Sequence, residues 1–131
     1  MSPAGANTDQ GDEVEPNWPL VAALAADDKL ASDIVVLDVG EVMAICEHFV
    51  LASGSNPRQV RAIAEEVERH VADAGGPRPL RIEGWSDAEW VLMDFGSFVV
   101  HVFRDETREY YDLDRLFRDR DRLDWRAGTA G

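Results

Sequence analysis

Between Pro57 and Ala74 the apolar residues Val60, Ile63, Ala64, Val67 and Val71 recur at steps of three and four. That spacing gathers them on one side of a helix, as a stripe to be buried. Asn56 stands before the run as an N-cap, Pro57 suits the first turn, and Gly75 lies beyond the end. Earlier in the chain, "DIVVLDV" (33–39) and "FVLAS" (49–53) are apolar runs, the pattern of strands buried on both faces. "LRIEG" (80–84) reads as another strand, so the stretch 49–84 forms a β-α-β crossover. "NWPLVAALAADDKLA" predicts an opening helix, with Asn17 or Trp18 before Pro19 in its first turn. "YYDLDRLF" (110–117) predicts a short closing helix.

The stretch "EWVLMDFGSFVVHVF" (89–103) is patterned as a hairpin. Gly96-Ser97 is its two-residue turn, since glycine in the first central position suits a type II′ turn. Phe95 then opposes Phe98, Met93 opposes Val100, and Val91 opposes Val102. Successive side chains alternate between faces, so these residues share one face, and it is wholly apolar. That face is core. The other face carries Asp94 with Val99, Leu92 with His101, and Trp90 with Phe103. It is too apolar for a solvated surface and too polar for a plain interior. Two readings stay open for it: a partner-binding surface with Trp90 as anchor, or an interior covered by a helix. A one-residue slip of register would exchange the two faces.

Taken in order, the elements are α-β-β-α-β-β-β-α, an α/β single domain with a five-stranded mixed sheet flanked by helices. The domain occupies residues 17–118. Residues 1–16 hold four acidic residues and no Lys or Arg, and are expected to form a disordered acidic N-terminal tail. Residues 119–131 are expected to be a charged C-terminal tail. The acidic start matches neither a secretory signal nor a mitochondrial presequence, and no apolar run approaches the length of a membrane span. The cytoplasm is therefore the expected compartment, with no membrane partner. Cys46, the single cysteine, cannot form an internal disulfide and reads as a buried thiol. Charge narrows the choice of partners. With 26 acidic residues against 13 basic ones, the net charge is −13. Binding a nucleic-acid backbone needs clustered Lys and Arg, so little direct nucleic-acid binding is expected. Such a chain can be drawn to a basic protein, or its charge can serve solubility alone.

Candidate chemistry is thin. His48, His70 and His101 fall in different elements without HExxH or CxxC spacing, and no metal site is expected. Glu66 and His70, at i and i+4 of the 57–74 helix, read as a solvated pair. Asp94 and His101 are diagonal neighbours in the hairpin, within reach of a hydrogen bond. No nucleophile or oxyanion site accompanies them and no GxSxG occurs, so no catalytic residue is assigned. The "SGSNPRQ" loop is more tempting. Gly54-Ser55 sits between a strand and a helix N-terminus, where amides and the helix dipole favour an anion. A nucleotidyltransferase would follow it with two close carboxylates for Mg²⁺. The next strand offers only Glu83, and Asp87 and Glu89 fall in what reads as a turn. A nucleotide-binding or nucleotidyltransferase enzyme using Gly54-Ser55 stays as the alternative function, beside the plainer account of a helix-capping loop. No cofactor is expected.

"DIVVLDV", "FVLASGSNPRQVRAIAEEV", "EWVLMDFGSFVVHVF" and "REYYDLDRLF" follow one another over roughly residues 18–118. In that order they resemble the ribosome silencing factor family, related to Iojap. Two details depart from the family's usual pattern. Glu47-His48 stands where Asp-Tyr is usual, and Asp114-Arg115-Leu116-Phe117 stands where Glu-Arg-Leu-Trp is usual. The resemblance implies a nucleotidyltransferase-like fold without catalytic activity. It also implies binding to large-subunit ribosomal protein fourteen, blocked joining of the small and large subunits, and repressed translation under nutrient limitation. The contact residues expected for that partner are Trp90, Leu92, Asp94, His101 and Phe103 on the mixed hairpin face, with Arg108 and Tyr111 from "REYYDLDRLF". The mixed face can also pair with itself, which would make a homodimer.

Overall fold

In the computed structural model the described residues are 17–40 and 46–126. The expected N-terminal tail, 1–16, lies outside them, as do 41–45 and 127–131. The chain runs through α1 (Trp18–Asp28), β1 (Ser32–Asp38), β2 (His48–Gly54), α2 (Pro57–Asp73) and β3 (Arg81–Glu83). It continues through β4 (Trp90–Asp94), β5 (Phe98–Arg104), α3 (Asp105–Tyr111), α4 (Leu113–Leu116) and β6 (Arg122–Leu123). The strands form one mixed six-stranded sheet in the order β3-β4-β5-β2-β1-β6. β2 and β5 pair in parallel at its centre, and the other neighbours are antiparallel.

β4 and β5 pair in the register that alternation predicts, with Trp90 opposite Phe103, Leu92 opposite His101 and Asp94 opposite Val99. Gly96 has φ +94°, the region that the first residue of a II′ turn requires. Beside the turn, the Phe95 and Phe98 rings stack at 4.6 Å. Val91, Met93, Phe95, Phe98, Val100 and Val102 are all buried. They join residues of α1 and α2 in the main core. α2 lays its expected stripe, Val60, Ile63, Ala64, Val67 and Val71, into that core. α1 contributes the buried Ala22, Ala23, Ala25 and Ala26, whose small side chains allow close approach. The Asn56 cap is made, its Oδ1 accepting the Gln59 amide at 2.8 Å. Asn56→Ala should lower stability by about 1 kcal/mol. An unmoved urea midpoint would mean that water replaces the cap without loss.

The sheet is six-stranded where five strands are expected, because part of the 119–131 segment is folded. β6 sets Leu123 opposite Val36 and Arg122 opposite Leu37 on β1. Trp125 is buried, and its indole N–H donates to the Ile34 carbonyl at 3.1 Å. Pairing satisfies backbone groups on the outer edge of β1, and one tryptophan buries much apolar area amid many charges. β1 itself is buried only in its second half. Ser32 and Asp33 are exposed, and the pairing shifts register before Val35. The single closing helix expected over 110–117 is two helices. α3 starts at Asp105, Asp112 turns into the left-handed region at φ 52°, and α4 restarts at Leu113. Aspartate tolerates that conformation better than most residues. Among the described residues no helix is long and apolar enough to cross a membrane.

Candidate functional site

Around the hairpin, the sheet face turned away from the main core is built from alternate residues of three strands. These are Phe49 and Leu51 on β2, Val99, His101 and Phe103 on β5, and Trp90, Leu92 and Asp94 on β4. Trp90 is placed by the turn that precedes it. Gly84 has φ +81°, and a Cβ there would meet the Trp90 carbonyl oxygen at 2.1 Å. The preceding residue is anchored too, with Glu89 Oε1 accepting from Arg104 Nε and from Thr107 Oγ1, each at 2.8 Å. The bond from Arg104, helped by Thr107, holds the Glu89 carboxyl below its usual range. The Trp90 ring then lies 4.8 Å from Phe103 and 5.0 Å from Tyr111 of α3. Its indole N–H donates to His101 Nδ1 at 3.0 Å. His101 is only 4% exposed, and burial pushes its pKa down to about 4. Its other ring nitrogen, Nε2, is buried with no hydrogen-bond partner among the described residues.

The expected Asp94–His101 contact is not made. His101 has two diagonal neighbours across the hairpin, Trp90 and Asp94, and the long indole is the one that reaches it. Asp94 bonds elsewhere: its Oδ1 accepts the Gly96 amide at 2.9 Å, and its Oδ2 lies 3.6 Å from Arg81 Nε on β3. An amide and a guanidinium satisfy a carboxylate better than a buried neutral imidazole does. Arg108, expected as a partner contact, is instead internal. It is 8% exposed, donating to Ser53 Oγ at 2.8 Å and to both Asp114 oxygens at 3.0 and 2.9 Å. This fork clamps α3 to β2 and α4, and holds the Asp114 carboxyl below its usual range. Phe103 is fully buried beneath Trp90. Of the expected contact residues, the partly buried Trp90, Leu92 and Asp94 and the 55% exposed Tyr111 remain open to a partner.

Alternation along the hairpin does not reveal what covers the rest of this face. Phe117 packs edge-on against Phe49 at 5.2 Å, and Phe49 packs edge-on against His101 at 4.6 Å. Phe49 and Phe117, with Leu113, belong to a second apolar cluster around Leu37, Leu51 and Phe103. The available signal is "FVLAS" itself, since a strand apolar on both faces needs a layer on each.

Anion and metal chemistry find less support. Gln59 Oε1 accepts from the Ser55 amide at 2.7 Å and the Ser55 hydroxyl at 3.0 Å. Gly54 serves packing, because a Cβ there would lie 3.2 Å from Val60 of α2. The Ser55 amide and hydroxyl and the Gln59 amide are thus already bonded in capping α2. Among the described residues, Asp28, Glu66 and His70 bring possible ligand atoms within 4.8 Å of one another. His70 faces Asp28 through Nε2 at 3.2 Å and Glu66 through Nδ1 at 3.0 Å. Both ring nitrogens thus already face carboxylates, and Arg69 pairs with Glu66 and lowers its pKa. The cluster is a polar bridge between α1 and α2. Glu66 is buried there, not solvated as expected, because α1 lies against that flank of α2.

Residues 14–130 match the family described as "Ribosomal silencing factor during starvation". The chain belongs to this family. A ribosomal silencing factor from Bacillus subtilis is 41% identical over 99 residues, spanning 76% of this chain and 83% of its own. A Mus musculus protein named mitochondrial assembly of ribosomal large subunit protein 1 is 34% identical over 90 residues, spanning 66% of this chain and 39% of its own. The crystal structure of a Chromobacterium violaceum protein shares the fold with a TM-score of 0.73 at 34% identity, over 76% of this chain and 82% of that one. The silencing-factor match includes β6 and Trp125 as well as the hairpin.

Proposed function

We propose that this ribosomal silencing factor binds large-subunit ribosomal protein fourteen and sterically blocks joining of the small and large subunits, repressing translation under nutrient limitation. The observation that carries this reading is the Trp90 face. A partly buried indole stands beside Tyr111 and shares its sheet face with Leu92 and Asp94, on a chain of net charge −13. An aromatic anchor with aliphatic and acidic surroundings suits a basic protein partner. The names of the relatives support the ribosome as the target, and the mouse relative's name points to the large subunit. No catalytic step enters: the Gly54-Ser55 loop spends its donors on Gln59, and the buried His101 ring has Trp90 as its polar partner. The protein acts in the cytoplasm without a cofactor and with little direct nucleic-acid contact. In the free protein the same face can pair with a second copy, so dimerisation would compete with ribosome binding.

Light-scattering kinetics of subunit joining test this. Saturating protein should slow the joining of purified subunits, and it should co-sediment with isolated large subunits in preference to intact ribosomes. An unchanged joining rate would end the anti-association reading.

A further inference from the structure

We infer that His101 is a positioning residue, a buried ring that holds the Trp90 indole in the orientation in which it meets the partner. The inference rests on the proposed contact role of Trp90 and adds how that contact is kept ready. Indole nitrogen donates and cannot accept, so the 3.0 Å bond makes His101 Nδ1 the acceptor. The neutral ring then carries its proton on Nε2, the nitrogen that is buried without a partner among the described residues. Phe49 edge-on at 4.6 Å and Phe103 stacked at 6.1 Å fix the plane of the ring. Trp90 is partly buried, resting on Phe103 and Tyr111. Ring contacts are weakly directional, whereas the bond to Nδ1 fixes where the N–H edge of the indole points.

The orphaned Nε2–H is what separates this role from plain packing. A buried donor left unsatisfied costs folding stability. A phenyl ring at position 101 would fill much the same space without that cost. What it would lack is an acceptor for the indole, and that acceptor is the one thing the imidazole adds.

Two substitutions in the 131-residue chain separate the nitrogens. His101→Asn places a carbonyl oxygen near the position of Nδ1, whereas His101→Gln carries its polar atoms out toward Nε2. In the free protein, the Trp90 indole proton should keep its hydrogen-bonded NMR shift and slow solvent exchange in the Asn variant and lose both in the Gln variant. Affinity for isolated large subunits should fall about tenfold for His101→Gln and stay within about threefold of wild type for His101→Asn. Both variants lose the packing of the ring on Phe49, so a merely structural role would weaken them alike. Full-strength binding by His101→Gln while Trp90→Ala binds weakly overturns the positioning role alone. Full-strength binding by Trp90→Ala overturns the contact reading, and this inference with it. Should neither variant fold, the wild-type histidine decides: ¹⁵N shifts with the proton on Nε2 support the assignment, and a proton on Nδ1 overturns it.

Discussion

Acidification from pH 7 to pH 4 is expected to remove about 3 kcal/mol of folding stability through His101 alone. In the folded protein burial lowers the pKa of this ring to about 4, against the ordinary 6.5. Between those values the unfolded chain takes up a proton that the folded chain refuses. The stabilisation is therefore complete above the unfolded value and lost as pH falls toward the folded one. The carboxyls of Glu66, Glu89 and Asp114 are held below their ordinary values by Arg69, Arg104 and Arg108. They contribute with the same sign, but only as pH falls through and below the ordinary carboxylate range. Urea unfolding of wild type and His101→Asn at stepped pH isolates the histidine, since all other titrations are common to both. The stability difference between them should shift by about 3 kcal/mol across the range. A constant difference would show that the folded ring takes up protons as readily as the unfolded one, through opening of the Phe49 and Phe117 cover.

The hairpin was legible because its information is local. One glycine at the turn and strict alternation over Trp90–Phe103 determine which side chains oppose which, and a slip would bury Asp94 in the core. α2 was legible for the same reason, from its cap and stripe. The harder elements depend on distant chain. β2 and β5 pair in parallel across the whole α2–β4 segment, and no short-range pattern specifies that partnership. β6 is two residues within a run of charges, and only the docking of Trp125 on β1 shows why it pairs. At the candidate site the same division holds. Alternation placed Trp90, Leu92 and Asp94 on one face. It could not show that Arg108 turns inward, because Ser53 lies 55 residues earlier in the chain. Nor could it choose between a covered and an open face. Both descriptions hold in part: Phe117 and Leu113 cover the side around Phe49 and Phe103, while Trp90 and Tyr111 stand at the border of that cover.

That border position sets the expectation for Trp90→Ala, the substitution with the most to say about function. As the anchor of a contact, the indole should account for on the order of 2 kcal/mol or more of binding, about 30-fold in affinity for the large subunit. A fully buried core tryptophan replaced by alanine costs about 3–5 kcal/mol of folding stability. Trp90 is mostly but not fully buried, so a stability loss of about 2–3 kcal/mol is expected, from reduced packing on Phe103 and an unmet acceptor at His101 Nδ1. The two effects separate when one preparation is used for both chemical denaturation and a binding isotherm. At ordinary temperature a loss of that size leaves nearly every molecule folded in a protein of typical stability, so weakened binding cannot be ascribed to unfolding. A variant that loses several kcal/mol of stability yet binds with full affinity per folded molecule would assign Trp90 to the interior. The partner would then have to be sought on the exposed rim of α3 and α4, where Tyr110 and Leu116 are 81% and 73% exposed.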